Sequence, residues 1–355
     1  MKITFVTPSP NLSGGLRVVA IHADRLRARG HEVVVVAPRQ QAPGWKARVK
    51  ALARGRWLPA PSQASHYDRM AAELRLLDHP GPVTDADVPD ADVVIATWWE
   101  TAFAVAALSS SKGRKVYFVQ HHEVHSHLPS HISAGSYHLP LRKITISGWL
   151  RDIMAEHYGD ADVALVPNSV DINLFHAPPR GRQPVPTVGL MYSGTPFKGV
   201  DVAFAAIAQL RRAYPAIQVV AFGTDPPLPA LPLPAGCRFF LQPAQEELRD
   251  IYAMCDVFIA ASRSEGFGLP ILEAMACRCP VVATRTGCAA DVIRDGVNGF
   301  VAEVGDAEGL AEGLRRIIDL SEPEWRQASD AALAQVASYS WDDAAMLFER
   351  ALSEG

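Results

Sequence analysis

Two α/β domains, each wound around a parallel sheet, are the architecture this sequence predicts, and three observations carry the prediction. Short apolar runs at Lys2–Val6, Glu32–Ala37, Val93–Ala96, Lys115–Val119, Lys143–Ser147 and Val163–Pro167 alternate with helix-like or loop segments. Such alternation is the mark of parallel strands joined by crossover helices. The stretch Ala177-Pro-Pro-Arg-Gly-Arg-Gln-Pro-Val-Pro186 is proline-rich and has no apolar period, so it reads as a linker. A second α/β series then starts at Thr187. The expected division is 1–178 for an N-terminal Rossmann-like domain and 186–338 for a C-terminal one, with a final helix over 339–355.

The totals agree with two soluble cores. At 355 residues, 48% hydrophobic and 20% charged, the chain has the length for two or three domains. Nothing approaches 18 consecutive apolar residues, so no transmembrane helix is expected. Met1-Lys-Ile-Thr-Phe-Val-Thr-Pro8 reads as a strand stopped by proline and not as a signal peptide. All five cysteines fall between Cys237 and Cys288, an odd number that argues for reduced core thiols in a cytoplasm. Residues 1–180 hold 20 of the 34 Lys/Arg and 16 of the 38 Asp/Glu, a net of +4, which leaves −8 for the remainder. That basic excess suits an anionic acceptor or membrane surface and is too small to imply nucleic acid.

Taken in order, the first strand runs into Ser9-Pro-Asn-Leu-Ser-Gly-Gly15 and then a helical stretch, Leu16–Arg29. Gly14 and Gly15 open that helix; they fit a phosphate-facing loop and equally an ordinary turn. No third glycine completes the dinucleotide fingerprint. Residues 39–63 carry Arg39, Lys46, Arg48, Lys50, Arg54 and Arg56 with no acidic residue, interleaved with Trp45, Leu52, Trp57 and Leu58. This stretch is a candidate contact for an anionic membrane; a solvated loop is the competing reading. Asp90/Asp92 and Asp160/Asp162 directly precede strands, and Asp85/Asp87 lies in a proline-rich connection, so none of these Asp-Ala-Asp triplets is read as a metal site.

Lys115-Val-Tyr-Phe-Val-Gln-His-His-Glu-Val-His-Ser-His127 ends a strand at its carboxyl edge, where open α/β sheets place ligands. A metal site from His121, His122, Glu123, His125 and His127 is disfavoured, because alternation would scatter those side chains over both faces. In the second series, Thr187–Tyr192 is a strand, Ser193-Gly-Thr-Pro-Phe-Lys-Gly199 a loop and Val202–Ala213 a helix. Gln218–Gly223 and Cys237–Leu241 continue as strands, and Gln245–Met254 as a helix. The strand Val257–Ala260 then leads into Gly266 and Gly268, with Pro270 placed to start a helix over Leu269–Cys277. That order points backbone N–H groups and a helix dipole at one spot, which suits a diphosphate. Glu265 and Glu273 bracket the loop, and a carboxylate accepts from vicinal hydroxyls, so each could hold a sugar diol. The last segment, Ser340–Leu352, is an amphipathic helix.

The run Glu265-Gly-Phe-Gly-Leu-Pro-Ile-Leu-Glu273 resembles the Glu-x7-Glu motif of the family 4 retaining glycosyltransferases, which have the GT-B fold. Ala274–Ala283 and Asp295–Val301 resemble the continuation of that motif, with Arg278 where a glycine is usual. Ile146-Ser-Gly-Trp-Leu150 and Val166-Pro-Asn-Ser-Val-Asp171 resemble two further landmarks, with Ser169 replacing a glycine. The resemblance implies two Rossmann-like domains facing each other across a cleft, and a last helix that returns to the N-terminal domain. It also implies transfer of a sugar from a nucleotide-diphosphate sugar donor to a glycan or lipid-linked acceptor, with retained configuration and no metal or other cofactor. Glu265 would touch the donor sugar, Glu273 the ribose, and Lys198 the diphosphate. Ser193, Gly266, Phe267, Gly268 and Leu269 would complete the donor site, and Gly14 and Gly15 the acceptor-side loop. By strand length His121 matches the histidine beside the reacting sugar; Gln120 or His122 takes that place after a one-residue slip. Met191, Tyr192 and Ser193 stand where the family commonly has an arginine. The implied setting is bacterial envelope polysaccharide synthesis in the cytoplasm, with residues 39–63 as the candidate contact to the inner face of the membrane. A sugar phosphorylase, or a non-catalytic nucleotide-sugar-binding partner, is the alternative.

Overall fold

The structure, a computed structural model, describes residues 1–39, 52, 64–125 and 128–354. It divides into two compact units. One comprises Met1–Thr145, Ile153–Val166 and Asp342–Gly355; the other comprises Ile146–Asp152 and Pro167–Trp341.

Among the described residues the first unit is built on β1 (Lys2–Val6), β2 (Glu32–Pro38), β3 (Glu73–Leu77), β4 (Val93–Ala96), β5 (Arg114–Val119), β6 (Arg142–Thr145) and β7 (Ala164–Leu165). They lie in the order β3-β2-β1-β4-β5-β6-β7, every pair parallel. Burial runs unbroken through residues 3–6 of β1, residues 33–37 of β2 and all of β4, as in a parallel sheet covered on both faces. In this unit β3 is the strand that sequence periodicity did not reveal. Glu73 and Arg75 interrupt its apolar residues, as suits the end strand of the sheet among the described residues. The terminal helix Trp341–Ser353 closes the first unit: the ring of Phe348 lies 4.6 Å from His22, 4.9 Å from Phe118 and 6.1 Å from Phe5.

The second unit repeats the winding with β8 (Thr187–Met191), β9 (Gln218–Gly223), β10 (Arg238–Leu241), β11 (Val257–Ala260), β12 (Val281–Thr284) and β13 (Gly299–Ala302). Their order is β10-β9-β8-β11-β12-β13, again all parallel. Helices Val200–Ala213 and Ala307–Ile318 supply much of the core on one face, around Ile207, Leu210, Leu310 and Leu314. Arg278, where the resemblance implies a glycine, takes φ +60 just past the end of helix Leu269–Ala276. A side chain there costs roughly 1–2 kcal/mol. Arg278 is held nonetheless by hydrogen bonds to Ala177 O (3.1 Å) and to the carboxylate of Asp330.

All five cysteines are free thiols, four of them buried. Of the basic stretch 39–63, Arg39 and Leu52 are described; Lys46, Arg48, Lys50, Arg54, Arg56 and the two tryptophans lie outside the described residues. No helix among the described residues is long and apolar enough to cross a membrane.

Candidate active site

In the second sheet the chain winds outward from β8 to β10, then restarts on the other side of β8 with β11. The loops leaving β8 and β11 therefore diverge, and such a point opens a crevice at the carboxyl ends of the strands. Both loops carry the charged residues singled out from sequence. Lys198 Nζ lies 2.7 Å from Glu265 Oε2, with the two side chains 22% and 16% exposed. Ser262 Oγ donates to the same carboxylate oxygen at 3.2 Å. Lys198, Ser262, Glu265, Gly268 and Thr286 line one cavity together with the apolar floor of the sheet.

The two loops are stitched to each other. Arg263 N donates to Phe197 O (2.7 Å), and its guanidinium reaches Pro196 O (2.8 Å) and both oxygens of Asp201 (2.8 and 2.6 Å). Gly199 is required by this closeness. It has φ +62, and a Cβ there would sit 1.8 Å from Ala261 O. Gly268, at φ +91, caps helix Leu269–Ala276 and turns the chain so that the helix starts at the cavity. Arg263 is a residue that sequence reasoning missed. It fills no family motif, and its role depends on a fold that brings positions 196–201 beside it.

The other expected donor-side residues, Ser193, Gly266, Phe267, Leu269 and Glu273, do not line this cavity. Ser193 Oγ accepts from Thr195 N at 3.2 Å and so shapes the β8 loop. Phe267 is buried and its carbonyl accepts from Cys288 N (2.7 Å); Leu269 is half-buried at the helix start. Gly266 O accepts from the buried Ser147 hydroxyl at 2.8 Å, and Gly148 N donates to Asp291 Oδ2 at 3.0 Å. Thus Ile146–Leu150, noted only as a landmark, braces the glycine loop. Glu273 is 6% exposed and its Oε2 accepts from the Tyr252 hydroxyl at 2.9 Å. Burial, then the neighbouring carboxylate, holds the Tyr252 phenol far above its usual pKa, so it stays a donor.

The first unit has its own switch point, between β1 and β4. Gly14 and Gly15 begin the helix Gly14–Ala28 there. A Cβ on Gly15 would lie 3.6 Å from the Gln120 side chain, so Gln120 is the strand-end residue packed over the glycine loop. His121 follows, with Nδ1 3.1 Å from His122 O and its ring 4.9 Å from that of His125. His122 turns to the Tyr158 hydroxyl (2.8 Å), and burial, with the neighbouring rings of His121 and His157 adding less, lowers its pKa to about 4. Glu123 points inward at 2% exposure, where its Oε2 accepts from Trp99 N (2.8 Å) and from the Tyr117 hydroxyl (3.3 Å). Burial holds that carboxyl well above the usual carboxylate range. The Tyr137 hydroxyl accepts from Glu123 N (2.8 Å) and donates to His121 O (3.0 Å).

Beyond the end of β5 at Val119 the side chains of His122 and Glu123 take different partners, and His127 lies outside the described residues. Among the described residues no group of three His, Cys, Asp or Glu is placed to hold a metal ion. The aspartate triplets have structural partners: Asp92 accepts from Lys2 N (2.7 Å), Asp160 pairs with Lys143, and Asp85 accepts from Ser109 N (2.9 Å).

Comparison with known proteins places this geometry. The profile of Glycosyl transferases group 1 matches residues 182–319, and that of Glycosyltransferase Family 4 matches residues 12–174. A phosphatidyl-myo-inositol mannosyltransferase of Propionibacterium freudenreichii subsp. shermanii is 32% identical over 208 residues, 56% of this chain and 52% of that protein. A D-inositol 3-phosphate glycosyltransferase of Streptomyces griseus subsp. griseus is 34% identical over 166 residues, 42% of this chain and 35% of that protein. The chain therefore spans about half or less of the length of these curated relatives. Anabaena HepE, solved in complex with UDP and glucose, superposes with a TM-score of 0.74 at 19% identity, covering 100% of both chains. The fold is shared with GT-B enzymes, both halves of the chain are matched by family profiles, and the chain belongs to the family 4 glycosyltransferases.

Proposed function

We propose that this protein moves a sugar from a nucleoside-diphosphate sugar to a hydroxyl of a glycan or lipid-linked acceptor and keeps the donor's anomeric configuration. The observation that carries the reading is the Lys198–Glu265 pair, 2.7 Å apart in the cavity at the switch point of the second sheet. A cation and a helix start suit the diphosphate, and a carboxylate beside them suits the sugar hydroxyls. The complex of HepE with UDP and glucose supports UDP as the first nucleotide to try.

In this reading residues 186–338 bind the donor, and residues 1–178 with the helix over 339–355 bind the acceptor. The acceptor oxygen attacks the anomeric carbon on the face from which the diphosphate departs. As the bond from that carbon to the diphosphate oxygen breaks, a phosphate oxygen takes the acceptor's proton. Lys198 and the N–H groups around Gly268 and Leu269 stabilise the departing charge, so the step calls on no metal ion. Glu265 holds the sugar hydroxyls, Glu273 the ribose, and Ser193, Gly266 and Phe267 shape the loops around them. His121 supplies a hydrogen bond to the transferred sugar, and Gly14 and Gly15 leave room for acceptor or phosphate. Bacterial envelope polysaccharide assembly on the cytoplasmic side of the membrane is the proposed setting, with residues 39–63 as the candidate surface contact.

The test is a thermal-shift screen of UDP, GDP, dTDP and their sugars without added metal, followed by nucleotide release from the best donor. A ligand at 100 times its Kd stabilises the fold by about 2.7 kcal/mol. One nucleotide series shifting wild type far more than Lys198→Ala is the expected result. No shift with any nucleotide, or equal shifts in both proteins, would remove the donor assignment.

A further inference from the structure

The bond between Tyr252 and Glu273 has no counterpart in the motif that drew attention to Glu273, and it is unusually well fixed. Tyr252 belongs to the helix Gln245–Ala253 and Glu273 to Leu269–Ala276, so both partners sit on regular elements. The Tyr252 ring is fully buried and edge-on to three others: Phe258 at 5.3 Å, Phe222 at 5.4 Å and Phe175 at 6.3 Å. Those contacts fix both side-chain torsions of the tyrosine, leaving its hydroxyl as a rigid donor 2.9 Å from Glu273 Oε2. A glutamate has three side-chain torsions, and the last is broad when nothing holds the carboxylate. Anchoring Oε2 sets the plane of the carboxylate, and with it the direction of its remaining acceptor sites.

We propose that Tyr252 is a positioning residue that orients Glu273 and, through it, makes the site select a ribose over a deoxyribose in the nucleotide. The proposal rests on the reading that Glu273 accepts from the ribose hydroxyls. A pair of vicinal hydroxyls demands a defined carboxylate plane, whereas a nucleotide lacking both hydroxyls makes no such demand. Loss of the phenol hydroxyl should therefore penalise the ribose form and spare the dideoxy form.

The experiment is calorimetric titration of UDP and GDP and their 2′,3′-dideoxy counterparts into the full chain, with no acceptor present. Wild type should bind the ribose form of its preferred nucleotide at least about tenfold more tightly than the dideoxy form, as expected for hydrogen bonds to a charged group. Glu273→Ala should abolish the ratio. Tyr252→Phe should cut it to a few-fold while leaving the dideoxy affinity within about twofold of wild type. A ratio of affinities in one preparation does not depend on the fraction folded. If Tyr252→Phe does not fold, Phe258→Leu, which loosens the packing of the Tyr252 ring and leaves Glu273 unchanged, should also reduce the ratio. Tyr252→Phe keeping the full wild-type ratio, or weakening both nucleotides equally, would overturn the role of Tyr252 while Glu273→Ala still reports on the ribose. No ribose preference in wild type, or one that survives Glu273→Ala, would instead overturn the assignment of Glu273 and the proposal with it.

Discussion

The two sheets wind in the same order from their central strands, yet their switch points hold opposite kinds of chemistry. At the second, Lys198 and Glu265 form a charged pair inside a cavity. At the first, Gln120 packs over Gly15, and the residues behind it are held neutral: Glu123 by burial against Trp99 N and Tyr117, His122 by burial beside Tyr158. Topology supplies the crevice in both units; side chains decide what each crevice can bind. In the proposed reading the diphosphate takes the charged one and the acceptor hydroxyl the other.

The largest effect should come from breaking the charged side. Lys198→Ala is expected to lower kcat by about 10²–10³-fold, the usual cost of removing one stabiliser of developing charge. Gln120→Ala should leave donor affinity nearly unchanged. Steady-state rates and donor titrations on the two variants compare the switch points directly, and equal losses would erase the distinction between them.

The neutral side is tested through stability. Glu123→Ala leaves Trp99 N and the Tyr117 hydroxyl buried without their shared acceptor and should destabilise by about 2–3 kcal/mol in chemical denaturation. Glu123→Gln keeps an oxygen there and no charge. Because the folded-state pKa of Glu123 is raised, its contribution is fully present below the unfolded carboxylate range and is lost as pH rises. Glu123→Gln should therefore gain on wild type from pH 5 to pH 8; a gap that narrows instead would mean the carboxylate is charged in the fold.

His22 works in the other direction. Burial against Phe118 and Phe348 lowers its pKa from 6.5 to about 3, so the unfolded chain binds its proton first. That stability is whole above pH 6.5 and is lost between 6.5 and about 3 as pH falls. At pH 5 the loss is about 2 kcal/mol, from 1.36 kcal/mol per pH unit. His22→Phe should flatten that part of the pH–stability curve, and an unchanged slope would place its origin elsewhere. The smallest effect is on the surface: Arg25→Ala breaks a 2.8 Å bridge to Asp342 whose side chains are 45% and 72% exposed. It should change stability by less than about 1 kcal/mol in the same denaturation assay.

These contrasts also show what could be read from sequence. β1, β2, β4, β8, β9 and β11 were legible because strands buried on both faces are dominated by apolar residues. β3 was not, since an edge strand tolerates Glu73 and Arg75. The glycine loop at 266–268 was legible because a strand, a tight turn and a helix start leave a local signature. Its surroundings were not: Ser147 reaches Gly266, Arg263 ties its own stretch to Pro196 and Asp201, and Tyr252 reaches Glu273, all through contacts between positions far apart in the chain. The strand end at 120–122 stayed ambiguous in sequence because a slip of one residue exchanges faces. The structure puts Gln120 against Gly15 and turns His122 to Tyr158, which leaves His121 between them in the chain. At position 278, a residue that looked like a simple departure from pattern proved to occupy the left-handed conformation that explains the usual glycine.

The most direct test of the account is a crystal structure of the protein with UDP. The diphosphate is predicted to lie against Lys198 Nζ and the backbone N–H groups at Gly268 and Leu269, with Glu265 released from Lys198. A diphosphate seated on Gly14 and Gly15 instead, with the Lys198–Glu265 pair intact, would contradict the assignment of the two switch points.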